Sequence, residues 1–280
     1  MHAERRPGEP LTISIVTPSL NQGAFIEQCI LSVKAQLDAY TEHIVVDGGS
    51  TDGTVNILKK HAHLCWVSEP DAGQADALNK AFRMASGQLI GWLNADDAYL
   101  GRTLQIVRAF FVRNPDVALA YGYVHVVDAR GRCIRKRFSP DFDFGLLVRH
   151  GNCYAQPTFF FRRSVLEDLG YLDPGQRWTM DYDFILRVGQ RFRVRKIPKC
   201  LGVFRTHAGS MSHSGHQDSR MRQTALAIQA KYQPLLRHRY PQFVYRIHDL
   251  AILLWFKALG RIASVPMYVR YRLSALIREA

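Results

Sequence analysis

A chain of 280 residues with 47% hydrophobic content can bury a real core, which excludes a disordered or fibrous class and leaves room for one large domain with an appendage. Its 37 Lys and Arg against 24 acids give a formal charge of +13 and point to an anionic partner: a nucleotide, a nucleic acid or an anionic membrane surface. Cys29, Cys65, Cys133, Cys153 and Cys200 are scattered without a C-x-x-C pair, so neither a disulfide framework nor a zinc site is indicated. The polar start "MHAERRPGEP" lacks the apolar core of a signal peptide, and no run approaches the about 20 apolar residues of a spanning helix. The expectation is a cytoplasmic protein, soluble or peripheral on the inner face of the cytoplasmic membrane.

In chain order, "LTISIVTPS" reads as a strand closed by Pro18, and "LNQGAFIEQCILSVKAQ" follows with helical spacing. "EHIVVDGGSTDGT" is a strand over 44–46 running into Asp47 and a Gly-rich turn, after which "TVNILKKHA" resumes a helical pattern. "LCWVSEPDAGQADALNKAFRMA" repeats the unit with a strand over 66–68 and a helix over 76–85. "GQLIGWLNADD" is the fourth strand. Alternation of this kind implies an α/β fold with a mostly parallel sheet. Beyond it come a helix, "TLQIVRAFFVRNPD", and a hairpin about the turn at 128–131, so the sheet becomes mixed. A strand and a helix from Ser164, an amphipathic helix at "MDYDFILRVGQRF", and a strand, "RVRKIPKCLGVFRTH", complete the domain. These elements predict a polar tail at 1–10, a catalytic domain at 11–215 and a basic amphipathic helical region at 216–280. Residues 217–280 hold eleven Lys or Arg against Asp218, Asp249 and Glu279. Within that region, Trp255 and Phe256 beside Lys257 and Arg261 suit a helix at a membrane interface, or equally an apolar helix packed on the domain.

Asp47, Asp71, Asp96 and Asp97 all fall at or just after the ends of three successive strand candidates, and parallel strands bring such ends together. Carboxylates gathered on one sheet edge of a basic protein repel each other and shed water, unless a hard divalent cation lies between them and a polyanion. Taken alone, Asn94-Ala95-Asp96-Asp97 also fits a polar turn capping the next helix. No G-x-G-x-x-G follows the first strand, which disfavours a dinucleotide site of the oxidoreductase kind.

The stretches "TPSLNQGAFIEQCILSV", "VVDGGSTDGT", "SEPDAGQADALNKAFRMASG" and "GWLNADD", followed by "QPTFFFRRSVLEDLGYLD", "MDYDFILRVG" and "FRTHAGSMS", resemble in order the motifs of family 2 glycosyltransferases over about residues 11 to 210. The resemblance implies a GT-A fold: a mixed, mostly parallel sheet flanked by helices, here with a C-terminal helical appendage. It implies a nucleotide-binding first strand at Thr17, Pro18 and Ser19, a base- or sugar-contacting acid at Asp47 beside Gly48, and a pocket-closing acid at Asp71. The family's D-x-D falls on Asn94, Ala95 and Asp96, which makes Asp96 the ligand of Mn2+ or Mg2+ and places Asn94 and Asp97 on the nucleotide sugar. His207 matches a histidine that closes over metal and diphosphate. Arg205 and Ser210 share its loop, where they could reach phosphates. Gln156, Pro157 and Thr158 match the acceptor side, and Asp181 takes the general-base position, with Asp183 pointing elsewhere.

The implied activity is inverting transfer from a nucleotide-diphosphate sugar, a UDP-sugar foremost, to a glycan or lipid-linked acceptor hydroxyl, with no nucleic acid involved. An inactive sugar-nucleotide-binding relative is the alternative that Asn94 suggests. A basic nucleic-acid-binding protein is the more distant one, since no helix-turn-helix, RNP-like or zinc-finger pattern is present.

Overall fold

The computed structural model describes residues 9–210 and 219–236. Strands β1 (Ile13–Ser19), β2 (Thr41–Asp47), β3 (Leu64–Ser68) and β4 (Leu89–Trp92) alternate with helices α1 (Ile26–Lys34), α2 (Thr54–Leu58) and α3 (Gln74–Met84). There follow β5 (Ala98–Tyr99), α4 (Thr103–Arg113), β6 (Val117–Val127), β7 (Cys133–Arg137), α5 (Phe144–His150), β8 (Phe160–Arg162), α6 (Ser164–Leu169), α7 (Met180–Arg191), β9 (Arg193–Arg205) and α8 (Ser219–Tyr232). The nine strands form one sheet in the order β3-β2-β1-β4-β8-β6-β9-β5, with β7 beside β6. β1 runs parallel to β2 and β4, and β2 to β3. β8 lies antiparallel to both β4 and β6, and β9 is parallel to β6.

Every residue of β1 is buried, because helices cover both faces of the sheet. Side chains alternate between those faces. Ile13, Ile15, Leu89, Leu93 and Phe160 pack with Cys29 and Val33 of α1 on one face. Val16, Ile90, Trp92 and Phe161 pack with Leu78 and Phe82 of α3 and Phe184 of α7 on the other. The register sets Ser19 opposite Asp47 and Asp47 opposite Ser68, so the carboxyl ends of β1, β2 and β3 finish abreast.

Two elements differ from their sequence pattern. The helix after Gly53 stops at Leu58, because the chain turns at once into β3, which starts at Leu64. The acidic turn at 94–97 leads into the short strand β5 rather than into a helix, which begins only at Thr103. In the C-terminal region, Ile228, Tyr232 and Leu236 join the same core as Phe144. The run 250–260 with Trp255 and Phe256, expected at a membrane interface or on the core, lies outside the described residues. Among those residues no helix is long and apolar enough to cross a membrane.

Candidate active site

Two loops at the carboxyl ends of β1 and β2 are fastened to each other. Gly23 N–H donates to Asp52 Oδ2 at 2.8 Å, Gln22 N–H to Thr54 Oγ1 at 3.0 Å, and Thr51 N–H to Asn21 Oδ1 at 2.9 Å. Beneath them Asp47 is fully buried, and its Oδ2 accepts from Ser50 N–H at 2.8 Å and Ser68 Oγ–H at 2.7 Å. Those bonds compensate the burial of a carboxylate. Gly48 donates its N–H to the Ser19 carbonyl at 2.8 Å. A Cβ on Gly48 would lie 2.6 Å from Asp71 Oδ2, so this glycine admits the approach of Asp71. Asp71 in turn accepts from Gly73 N–H at 2.8 Å, just before α3. Ser19, Asp47, Gly48 and Asp71 are thereby brought together. Thr17 is not among them: it shares the face of Ile13 and Ile15 and meets His43 Nε2 at 3.0 Å under α1. Pro18 is buried within β1.

At the end of β4 the four residues 94–97 divide their work. Asn94 is held in an amide network: its Oδ1 accepts from Gln74 Nε2 at 2.9 Å and Trp92 Nε1 at 3.0 Å, and its Nδ2 donates to Gln156 Oε1 at 3.0 Å. Asp96 is partly exposed and sets Oδ2 3.1 Å from His207 Nε2. Asp97 is 2% exposed and turns inward, where its Oδ1 accepts the Arg205 N–H at 2.9 Å. Burial, reinforced by the neighbouring Asp96 charge, raises its carboxyl well above the usual range. Asp97 thus sits beneath the site rather than on its surface.

Arg205 also lies below. It is 2% exposed, with Nε on the Asp96 carbonyl at 2.9 Å, Nη1 on the Asp128 carbonyl at 3.2 Å, and Nη2 on Gln28 Oε1. Its guanidinium rests over Phe25 at 5.2 Å, so it braces the turn and is not directed at a ligand. Ser210 is 5% exposed and donates to the His207 carbonyl at 2.9 Å. The carboxylate oxygen of Asp96 and the imidazole of His207 touch each other at 3.1 Å, and this oxygen and nitrogen pair fits a divalent ion whose remaining positions would be filled by ligand oxygens and water. Among the described residues no third His, Cys, Asp or Glu completes an all-protein cage.

Across the sheet end, α7 presents Asp181 in its first turn. Thr179 precedes the helix, and Asp181 caps nothing beyond its neighbour: Oδ1 accepts from Tyr182 N–H at 2.8 Å and Oδ2 from Asn152 Nδ2 at 2.7 Å. Burial raises the Asp181 carboxyl above its ordinary value, against the lowering effect of those two bonds and of Arg137 nearby. Asp183 turns away into an ion pair with Arg187 at 2.8 Å. The segment 152–158 links the two carboxylate regions. Asn152 holds Asp181, while Gln156 donates to the Trp92 carbonyl at 3.0 Å and accepts from Asn94. Gln156, Pro157 and Thr158 form a buried 3-10 turn, and the Thr158 hydroxyl is spent inside the protein on the Ala155 carbonyl at 2.7 Å.

The model of the family described as Glycosyl transferase family 2 matches residues 14–170, more than half of the chain. The chain belongs to that family. Among its relatives, the PGL/p-HBAD biosynthesis glycosyltransferase of Mycobacterium bovis is 32% identical over 180 residues, covering 62% of this glycosyltransferase and 68% of that protein. The O-antigen biosynthesis protein RfbC of Myxococcus xanthus is 31% identical over 195 residues but is covered to only 15% of its length. Solved structures agree on the GT-A fold. S. aureus TarS 1–349 in complex with UDP-GlcNAc superposes with a TM-score of 0.60 at 21% identity, covering 72% of this chain; this chain spans 61% of that one. The mannosyltransferase PcManGT from Pyrobaculum calidifontis, in complex with GDP-Man and Mn2+, gives 0.57 at 18% identity over 97% of this chain and 88% of that one.

For this glycosyltransferase, sequence reasoning did not single out Gln74, Asn152 or Arg137. Asn152 and Asp181 are 29 positions apart, and no periodicity connects them. The available signal was compositional: an amide, Asn152, four residues before another, Gln156, in a Gly-flanked segment that must make hydrogen bonds inside the protein.

Proposed function

We propose that this protein transfers a sugar, with inversion, from a nucleotide-diphosphate sugar to the hydroxyl of a glycan or lipid-linked acceptor, with Asp181 as the base. One observation carries the reading: a carboxylate with a raised titration point stands at a helix start, tied through residues 152–156 to the turn that bears Asp96, which faces His207. In the reaction, the acceptor oxygen attacks the anomeric carbon as Asp181 takes its proton, and the bond from that carbon to the diphosphate oxygen breaks. Asn152 and the Tyr182 N–H fix the orientation of the carboxylate. Ser19, Asp47, Gly48 and Asp71 surround the nucleoside, and Asn94 stands beside the ribose and diphosphate. Asp96 and His207 would hold Mn2+ or Mg2+, which when bound neutralises charge on the departing diphosphate. The bound ligands named for related folds, UDP-GlcNAc in TarS and GDP-Man with Mn2+ in PcManGT, support a donor of this class, and we favour a UDP-sugar. The relative named for O-antigen biosynthesis supports a surface glycan as product.

Asp181→Asn tests the assignment. Donor affinity by calorimetry should hold, while turnover falls roughly 100-fold or more, the usual contribution of a positioned base. In the wild type, kcat/KM should rise with pH through the Asp181 titration, and that acid limb should lie above the ordinary carboxylate range, because the base works only when ionised. Asp183→Asn, which breaks the pair with Arg187, should act on stability instead. A rate for Asp181→Asn within a few-fold of wild type would remove the base from this position. The second reading, a sugar-nucleotide binder without turnover, draws on Asn94 in place of an acid, and donor binding by a wild type that releases no nucleoside diphosphate would select it.

A further inference from the structure

Arg137 ends the strand β7 and lies half-buried near the proposed base. It and Asp181 influence each other's titration electrostatically, yet among the described residues no carboxylate stands within ion-pairing distance of Arg137. Its hydrogen bond is a long one, from Nη2 to the Tyr154 carbonyl at 3.4 Å. A guanidinium carries five N–H donors, and taking it partly out of water without an anion is costly. The neighbouring groups do not supply that anion. Burial pushes the Cys153 thiol up to about 12, so it stays neutral. Arg135 adds positive charge, Asp143 caps α5 through the Leu146 N–H, and the Asp181 oxygens already face Asn152 and Tyr182. What remains is a cation joined to the base only through two intermediates: Arg137 donates to the Tyr154 carbonyl, the Tyr154 N–H to Asn152 Oδ1 at 3.0 Å, and Asn152 to Asp181.

We propose that Arg137 is an acceptor-recognition site for an anionic group, a phosphate or a carboxylate, carried close to the hydroxyl that Asp181 deprotonates. The inference rests on the glycosyltransferase reading and narrows it to acceptors with a negative charge beside the nucleophile. The planar fork of Arg suits both anions bidentately, and Arg135, two positions earlier on the same face of the strand, adds positive charge nearby.

The test uses the full chain, the donor it binds most tightly, and acceptors in matched forms: glucose, glucuronate and glucose 6-phosphate, together with glycerol and glycerol 3-phosphate. Nucleoside diphosphate release gives kcat/KM for each. Wild type should prefer an anionic form over its neutral partner by about 10-fold or more, the scale of a charge-assisted hydrogen bond. In Arg137→Gln that ratio should fall to near one, and in Arg137→Lys it should be partly kept. Preference for the phosphate or the carboxylate member identifies the anion. A wild-type ratio near one overturns the proposal whether or not the variants fold, as does an unchanged ratio in Arg137→Gln. An equal loss on neutral and anionic acceptors would instead make Arg137 a positioning residue for Asp181. Donor binding to wild type by calorimetry reports on the underlying reading: a donor that binds, with no anion preference, sinks the anion site alone.

Discussion

The two halves of the sheet hold the carboxylates of the candidate site differently. In the half built on β1, β2 and β3, the two carboxylates of the β2–α2 loop are matched before any ligand arrives: Asp47 is met by Ser50 and Ser68, and Asp52 by Gly23 and Thr54. In the half built on β6 to β9, Asp183 is paired with Arg187, but Asp181 and Arg137 form no ion pair with each other. A fastened half can present one fixed shape to a ligand of fixed chemistry. Groups left at a distance keep their free energy of interaction for whatever comes between them. The turn at 94–97 stands where the halves join, and contacts of long sequence separation hold it: His207 to Asp96 and Arg205 to Asp97.

The largest effect that would test this division is Asp96→Ala. It removes the carboxylate facing His207, and turnover should fall below detection while any stabilisation of the donor complex by manganese, read as a thermal shift, disappears. Full activity of this variant, or of wild type after chelation, would place the charge handling elsewhere. Asn152→Ala should be milder. It deletes a hydrogen bond to the ionised form of Asp181, so the carboxyl should rise further. The acid limb of the pH-rate profile then moves to higher pH, and the rate at neutral pH drops by roughly 10-fold, the scale of one charge-assisted bond. An unmoved profile would show that Asn152 does not orient the base.

The smallest effect concerns the fastened half. Burial lowers His43 to about 3, and His61 and His63 are lowered as well, with Lys34 and Lys60 nearby and Glu27 opposing. A histidine that is neutral in the fold and titrates near 6.5 when unfolded contributes stability above that pH, and the contribution is lost as pH falls from about 6.5 toward 3. The melting midpoint should therefore drop on acidification, and His43→Gln should flatten that slope. A midpoint that stays level between pH 7 and 5 would show that these histidines charge without penalty.

How much of this was legible in the sequence follows the same division. The first four strands and the acids at their ends could be read because each βαβ unit is local and its apolar runs are short and bounded. The burial of Thr17 required the register of β1, which assigns it to the α1 face with Ile15. Arg205 resembled a phosphate ligand by type, yet the strand β9 carries it beneath Asp96 and Asp97, where carbonyls take its donors. Arg137 gave no signal at all, since a basic residue in a hairpin strand is ordinarily a solvated one. Only the pairing that sets it opposite Val124 of β6, and its bond to the Tyr154 carbonyl, bring it near Asn152 and Asp181.

The amide network around Asn94 restricts what position 94 can become. An Asp at this position could accept from Gln74 and Trp92 but has nothing to donate to Gln156 Oε1. Rotating the Gln156 amide would satisfy the new carboxylate and at the same time turn its oxygen against the Trp92 carbonyl that it now serves. Position 94 is thus coupled to position 156: an acid at 94 is unfavourable while Gln156 stays, and the two residues can exchange their chemistry only together.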